Sequence, residues 1–203
     1  MTTNQNSQEK KLTIKELIIT GVFSAILFLC IMLSGGPFCV IPTLTFYFPV
    51  GAALLAGPVF LLLVAKVPKR GPIAIAGVLA AFFTFVTGMH WAMALGYLAG
   101  GILADMVAGI RNYRSRRMNI IAYIVYALGS TGSYLAFFIN PESWVSTMLN
   151  SGTTQEYIDQ MMNSAGWTVL VTMLAGTVLV ALVSALVGNW LLKKQFERAG
   201  ITA

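Results

Sequence analysis

The amino-acid sequence predicts an all-α integral membrane protein, a bundle of six transmembrane helices with both termini in the cytoplasm. Two observations carry that prediction. Of 203 residues, 57% are hydrophobic and only 10% charged, against about 25% charged in soluble domains, so lipid is the solvent this chain is built for. The second observation is where the charge lies. All 13 Lys and Arg residues fall in four clusters: Lys10, Lys11 and Lys15; Lys66, Lys69 and Arg70; Arg111, Arg114, Arg116 and Arg117; and Lys193, Lys194 and Arg198. Cytoplasmic loops carry such an excess, and clusters that recur after every second apolar segment require an even number of crossings.

A span needs roughly 20 mostly apolar residues. The polar start, residues 1–16, gives way to an apolar run over 17–34. That run approaches spanning length and lacks a clear small-x-small cleavage site, so it reads as a first transmembrane helix and not as a cleaved signal. The stretch "SGGPFCVIPTLTFYFPVG" follows, and its Pro37, Pro42 and Pro49 break regular helix. It reads as an irregular, partly re-entrant segment leading into the second helix, 48–66. Such backbone is tolerated at membrane depth only where protein or a water-filled cavity satisfies its polar groups, which makes it a candidate wall of a binding site.

The third and fourth helices are expected at 72–88 and 92–110, joined by a tight turn. Small residues recur at every fourth position in both: Ala76, Ala80, Thr84 and Gly88, then Ala92, Gly96, Gly100, Ala104 and Ala108. Such stripes let backbones approach closely in lipid and predict a tight antiparallel pair. The fifth helix is expected at 119–139 and the sixth at 166–192, with a cytoplasmic tail over 193–203. Between them, the loop from Asn140 to Gly166 carries Glu142, Glu156 and Asp159 and no basic residue. Within it "TTQEYIDQMMNSAGW" can form a short amphipathic helix capped by Thr153, with Tyr157, Met161 and Met162 on its apolar side. A lid over a site and a helix lying on lipid headgroups both fit that pattern.

Chemistry is sparse. The sequence has no HExxH, no Walker A loop and no paired-carboxylate helix, so neither an enzyme nor an ATPase is expected, and no resident cofactor or metal site. The "GSTGS" at 129–133 is not a GxSxG elbow. Cys30 and Cys39 form no CxxC or zinc spacing. The net charge of +6 comes from short clusters beside helix ends, with no basic–aromatic interleaving, which argues against nucleic acid as a partner. Asp105 is the one acidic residue inside an apolar segment. It lies about 9 Å along a helix from Arg111, six residues at about 1.5 Å each, where a salt bridge or hydrogen bond is expected in preference to a proton relay. His90, the single histidine, sits at the third-to-fourth helix turn in "TFVTGMHWAMALGY".

Four stretches carry a family resemblance: "KLTIKELIITGVFSAI", "GPVFLLLVAKVPKRG", "GYLAGGILADMVAG" and "LLKKQFERAGI". In this order and spacing the chain resembles the substrate-binding S-components of energy-coupling factor (ECF) transporters, in particular the Trep_Strep group. The resemblance implies a six-helix capture subunit in the cell membrane. Such a subunit binds a small micronutrient from outside, then joins a transmembrane coupling subunit and two cytoplasmic ATPases. It implies a coupling interface on the first helix at Gly21 and Ala25, a GxxxA variant of the family's AxxxA-like motif. It also implies a pocket roofed by the three loops that lack Lys and Arg. Carried onto this chain, the candidates are Phe38, Thr45 and Tyr47 in the first loop and Met89, His90 and Trp91 in the second. Tyr134, Trp144, Tyr157, Met161 and Trp167 complete the set. An aromatic pocket without Lys or Arg favours a flat, partly apolar molecule or a cation over a polyanion. Haem or a related tetrapyrrole stays open, with His90, Met89 and Met161 or Met162 as axial-type ligands; so does a plain hydrogen-bonding role for His90. The alternative function is a stand-alone secondary transporter or channel, which predicts charged groups along a mid-membrane path.

Overall fold

The computed structural model describes residues 11–198. Residues 1–10 of the expected N-terminal segment, with Lys10, and 199–203 of the expected tail lie outside them. Among the described residues the chain is helical, with no strand. Five stretches are long and apolar enough to cross a membrane: Ile14–Cys39, Pro42–Lys66, Trp91–Gly109, Arg116–Ile139 and Trp167–Lys193. Pro72–Val86 is apolar but shorter.

Helix α1, Ile14–Gly35, opens on a capping box in which Thr13 and Glu16 satisfy each other's backbone amides. Its polar residues turn inward: Thr20 and Ser24 are buried, and their hydroxyls donate to Glu16 O and Thr20 O at 2.8 and 2.7 Å. Ile18, Val22 and Leu29 face outward. The proline-rich segment then forms two 3-10 turns, Gly36–Cys39 and Pro42–Tyr47. Phe46, in the second, is fully buried against the rings of Phe137 and Tyr134 at 5.2 and 5.9 Å. The second turn is therefore anchored in protein at Phe46, while Val40 and Ile41 between the turns are exposed.

Helix α2, Phe48–Lys66, contains Pro58. Proline has no N–H, so Leu54 O, four residues back, loses its helical donor. Ser184 Oγ supplies one at 2.6 Å, and the same oxygen accepts from Gly57 N–H at 3.2 Å. Ala53 O, one residue earlier, accepts from Tyr123 Oη–H at 2.6 Å. Ser184 lies on α9, Trp167–Arg198. There Gly188 lets α9 come so close that an added Cβ would lie 2.8 Å from Pro58 Cα.

Helices α3, Pro72–Val86, and α4, Trp91–Gly109, do pair closely, but through residues one step off the expected stripes. The contact is Gly77 against Gly101, where an added Cβ would meet the opposite Cα at 2.7 or 2.6 Å. Gly96 and Gly100 instead face Gly129 and Gly132. Small-residue spacing marks a face for close approach without naming the partner. Helix α3 stops at Val86 because Gly88 turns the chain with φ +79°.

The expected fifth helix is interrupted. Arg116–Leu128 (α5) and Gly132–Ile139 (α6) flank a 3-10 turn at Gly129–Thr131. A Cβ at Gly129 would lie 2.6 Å from Gly96 O, so the approach to α4 demands glycine where helix propensity is poorest. Ser130 and Thr131 hydroxyls also donate to Ala127 O and Leu128 O at 2.6 and 2.7 Å, competing with regular helical bonding. The acidic loop folds into two helices instead of one, α7 Pro141–Asn150 and α8 Gln155–Ser164. Thr154, not Thr153, caps α8. Its buried side chains are Ile158 and Met161, while Met162 is 42% exposed.

Candidate functional site

The bundle has two chemically distinct ends. At one, Lys69 pairs with Glu16 at 2.7 Å, tying the start of α1 to the α2–α3 loop. Asp105, near the end of α4, is 5% exposed. Its carboxylate accepts from Gly71 N–H at 3.1 Å and Tyr113 Oη–H at 3.2 Å. Gly71 and Tyr113 are thus among its hydrogen-bond partners, and the Arg70 charge lies near it as well. A cavity of about 570 Å³ opens beside these groups, between Arg70, Met106, Ile110 and Asn112. Its rim includes Asn112 and Tyr113 at φ 51° and 61°, a region that L-residues seldom occupy.

The opposite end carries a cavity of about 380 Å³, within the range of small-molecule sites. Its floor is the α3–α4 turn. His90 caps α4: Ala92 N–H donates to His90 Nδ1 at 3.2 Å. The imidazole is buried, at 3% exposure, and burial pushes its pKa below the ordinary value. Its Nε2 has no hydrogen-bond partner among the described residues.

The roof is α7 and α8. Trp144 is buried, donates from Nε1 to Ser133 Oγ at 3.0 Å and stacks on His90 at 6.2 Å between centroids. Tyr157 donates to Cys39 O at 2.7 Å and is hydrogen-bonded to Thr45 Oγ1, pinning α8 over the 3-10 turns. Burial raises the Tyr157 pKa, so the phenol keeps its proton. With Ile158 and Met161 buried in protein, α8 is packed on the bundle, which fits a roof better than a helix resting on lipid.

Of the expected pocket residues, Thr45, Met89, His90, Tyr134, Trp144 and Tyr157 come together on this cavity wall. The other five lie elsewhere. Phe38 packs over Gly51, Tyr47 bonds Thr172 Oγ1 at 3.0 Å, and Met161 is sealed in the core. Trp91 is 50% exposed and Trp167 81% exposed; Trp167 borders a separate shallow hollow with Phe138 and Pro141. An aromatic residue in the right loop is a weak locator, because half its positions face away.

Sequence reasoning missed Cys39, Thr87, Met93, Ser133, Met148 and Thr153, which also line the cavity. Two of them had a usable signal. Met93 lies three residues after His90 and Met148 four after Trp144, the spacing that shares a helix face. No lining residue is Asp, Glu, Lys or Arg.

A family model for hypothetical bacterial integral membrane proteins (Trep_Strep) matches residues 14–198. The chain belongs to the Trep_Strep family. No curated protein matches it, and no solved structure does. The match runs from the first residue of α1 to the last of α9, so both ends of this Trep_Strep bundle, and both cavities, fall within the family's shared segment.

Proposed function

We propose that this Trep_Strep protein is the membrane-embedded capture subunit, the S-component, of an ECF-type importer. In this reading it takes a small, uncharged micronutrient from outside and has no catalytic activity of its own. The observation that carries the reading is the cavity at the Lys/Arg-free end, enclosed by α7 and α8 and walled by neutral polar and sulfur-bearing groups. It suits a subunit that binds and holds, with partners supplying the energy. The positive-inside rule puts the basic clusters in the cytoplasm, so this cavity faces outward. The same rule makes α3 and α4 an out-and-back pair and the crossings six, both termini being cytoplasmic. At about 1.5 Å per residue the 15 residues of α3 reach about 22 Å, a shortfall that local bilayer thinning absorbs.

The exposed face of α1 supports the partner assignment. No atom lies within 4 Å of the place a Gly21 Cβ would occupy, Ala25 is exposed, and Ile18 and Val22 flank them in the open. This surface suits close approach by a coupling subunit, which would bring two cytoplasmic ATPases. A secondary transporter would call for charged groups along the path, whereas Asp105 is engaged by Gly71 and Tyr113. For haem the fit is poor: its carboxylates would meet no Lys or Arg on this wall, and Met161 is sealed away.

The test is co-expression with and without an ECF coupling module, followed by affinity purification and mass spectrometry of retained small molecules. Stable association through α1, lost in Gly21→Leu, is the expected result. No association with any coupling module overturns the assignment.

A further inference from the structure

The two ring nitrogens of His90 have different surroundings, and the difference fixes what the side chain can do. Nδ1 accepts the Ala92 amide proton at 3.2 Å, so it presents a lone pair and carries no hydrogen. The ring is buried among uncharged residues, which favours its neutral form with one ring proton. That proton is then on Nε2. His90 lines the cavity, and its Nε2–H is shielded from solvent and has no acceptor among the described residues. A buried donor in that state is costly until something accepts from it.

We propose that His90 Nε2–H is the cavity's recognition donor, and that its partner is a carbonyl oxygen or unprotonated ring nitrogen on an uncharged ligand. The assignment rests on this cavity being the capture site of the proposed function. The wall restricts the ligand class further. With no charged residue lining it, an ionic ligand would leave its charge unpaired. The thioethers of Met89, Met93 and Met148 offer polarizable, adaptable surface to an apolar ring. Trp144 holds the imidazole from one side by stacking at an interplanar angle of 23°, while its own N–H is taken by Ser133. The indole thus positions the donor without competing for the ligand's acceptor.

The same tautomer argues against metal ligation. To bind iron or zinc, Nε2 must present a lone pair, which moves the ring proton to Nδ1. There it would oppose the Ala92 N–H and break the cap of α4. Donor and metal ligand are therefore mutually exclusive states of this residue.

Because the chain has a single histidine, [15N]histidine labelling reads His90 alone, provided the affinity tag contains none. The full chain in lipid nanodiscs is expected to show a protonated Nε2 and a bare Nδ1. N-methylpyrrolidone, an uncharged amide with an acceptor and no donor, is expected to shift the Nε2–H resonance saturably. A proton on Nδ1, or an Nε2–H that ignores the probe, overturns the proposal. Two variants separate recognition from folding. His90→Asn keeps an efficient N-cap but has no donor at the ε position, whereas His90→Gln returns an N–H near it. Probe affinity, followed by NMR shifts of the labelled cavity methionine methyls, is expected to fall about tenfold in His90→Asn and recover in His90→Gln. Equal affinity in wild type and His90→Asn overturns the donor role. None of these readouts involves the coupling module, so failure to bind the module would leave the His90 result standing, and the reverse.

Discussion

The cavity beside Asp105 is the larger of the two described here, about 570 Å³ against about 380 Å³ beside His90, yet its charged groups are absorbed by the fold. Glu16 holds Lys69, and Asp105 collects protons from Gly71 and Tyr113. These bonds splice three loops and helix ends together. At the His90 end, hydroxyl and indole bonds fix the walls, while a buried imidazole nitrogen is left without a protein partner. Volume alone does not distinguish a ligand site from a structural cleft. The partner-free imidazole nitrogen is what marks the smaller cavity as the candidate for a ligand.

The sharpest way to break the comparison is Asp105→Leu. It strands the Gly71 amide, at about 1–3 kcal/mol, and takes one acceptor from the Tyr113 hydroxyl, which keeps the main-chain oxygen of residue 105 at 3.3 Å. A markedly lower thermal midpoint in detergent is expected, with N-methylpyrrolidone affinity at the far cavity unchanged. A loss of that affinity without loss of stability would show the two ends to be coupled. Tyr157→Phe acts at the roof and costs less, about 1 kcal/mol for its hydrogen bonds. Hydrogen exchange over 155–164 is expected to quicken while α4 stays protected.

The smallest expected effect is that of pH. Burial lowers the His90 pKa in the folded state below the unfolded value of about 6.5. The unfolded chain then binds more protons in the interval between the two, so stability is intact above about pH 6.5 and falls as the pH drops below it. Thermal midpoints at pH 7.5 and 5.5 are expected to differ more in wild type than in His90→Asn, which has no imidazole to charge.

The long apolar segments and the grouping of basic residues were legible because hydropathy and charge act over a helix length, and both are written in composition. The α3–α4 turn was legible because Gly88 and His90 punctuate the apolar sequence on either side of it. The break at Gly129–Thr131 was not. Gly, Ser and Thr are tolerated inside membrane helices, and the approach of Gly96, distant in sequence, helps make a turn of that stretch. The split of 140–166 into α7 and α8 was obscured for a different reason. The Asn140 cap of α7 and the positive-φ Gly152 between the helices were visible, but weak beside the stronger pattern of α8. At the site, loop membership found six wall residues, and the facing of individual side chains required coordinates.

The bond of Ser184 to the carbonyl freed by Pro58 has a mechanical consequence. Slipping α9 along α2 by one turn, about 5.4 Å, would take Ser184 from Leu54 O and Gly57 N–H and carry Gly188 away from Pro58. The two helices are thus locked in register, like a spline in its groove. Tilting in the membrane must carry α2 and α9 as one rigid body. In the proposed capture role, flexing to admit a molecule would fall to α7 and α8, which are held by hydrogen bonds at Ser133, Cys39 and Thr45 and by the buried side chains of Trp144, Ile158 and Met161.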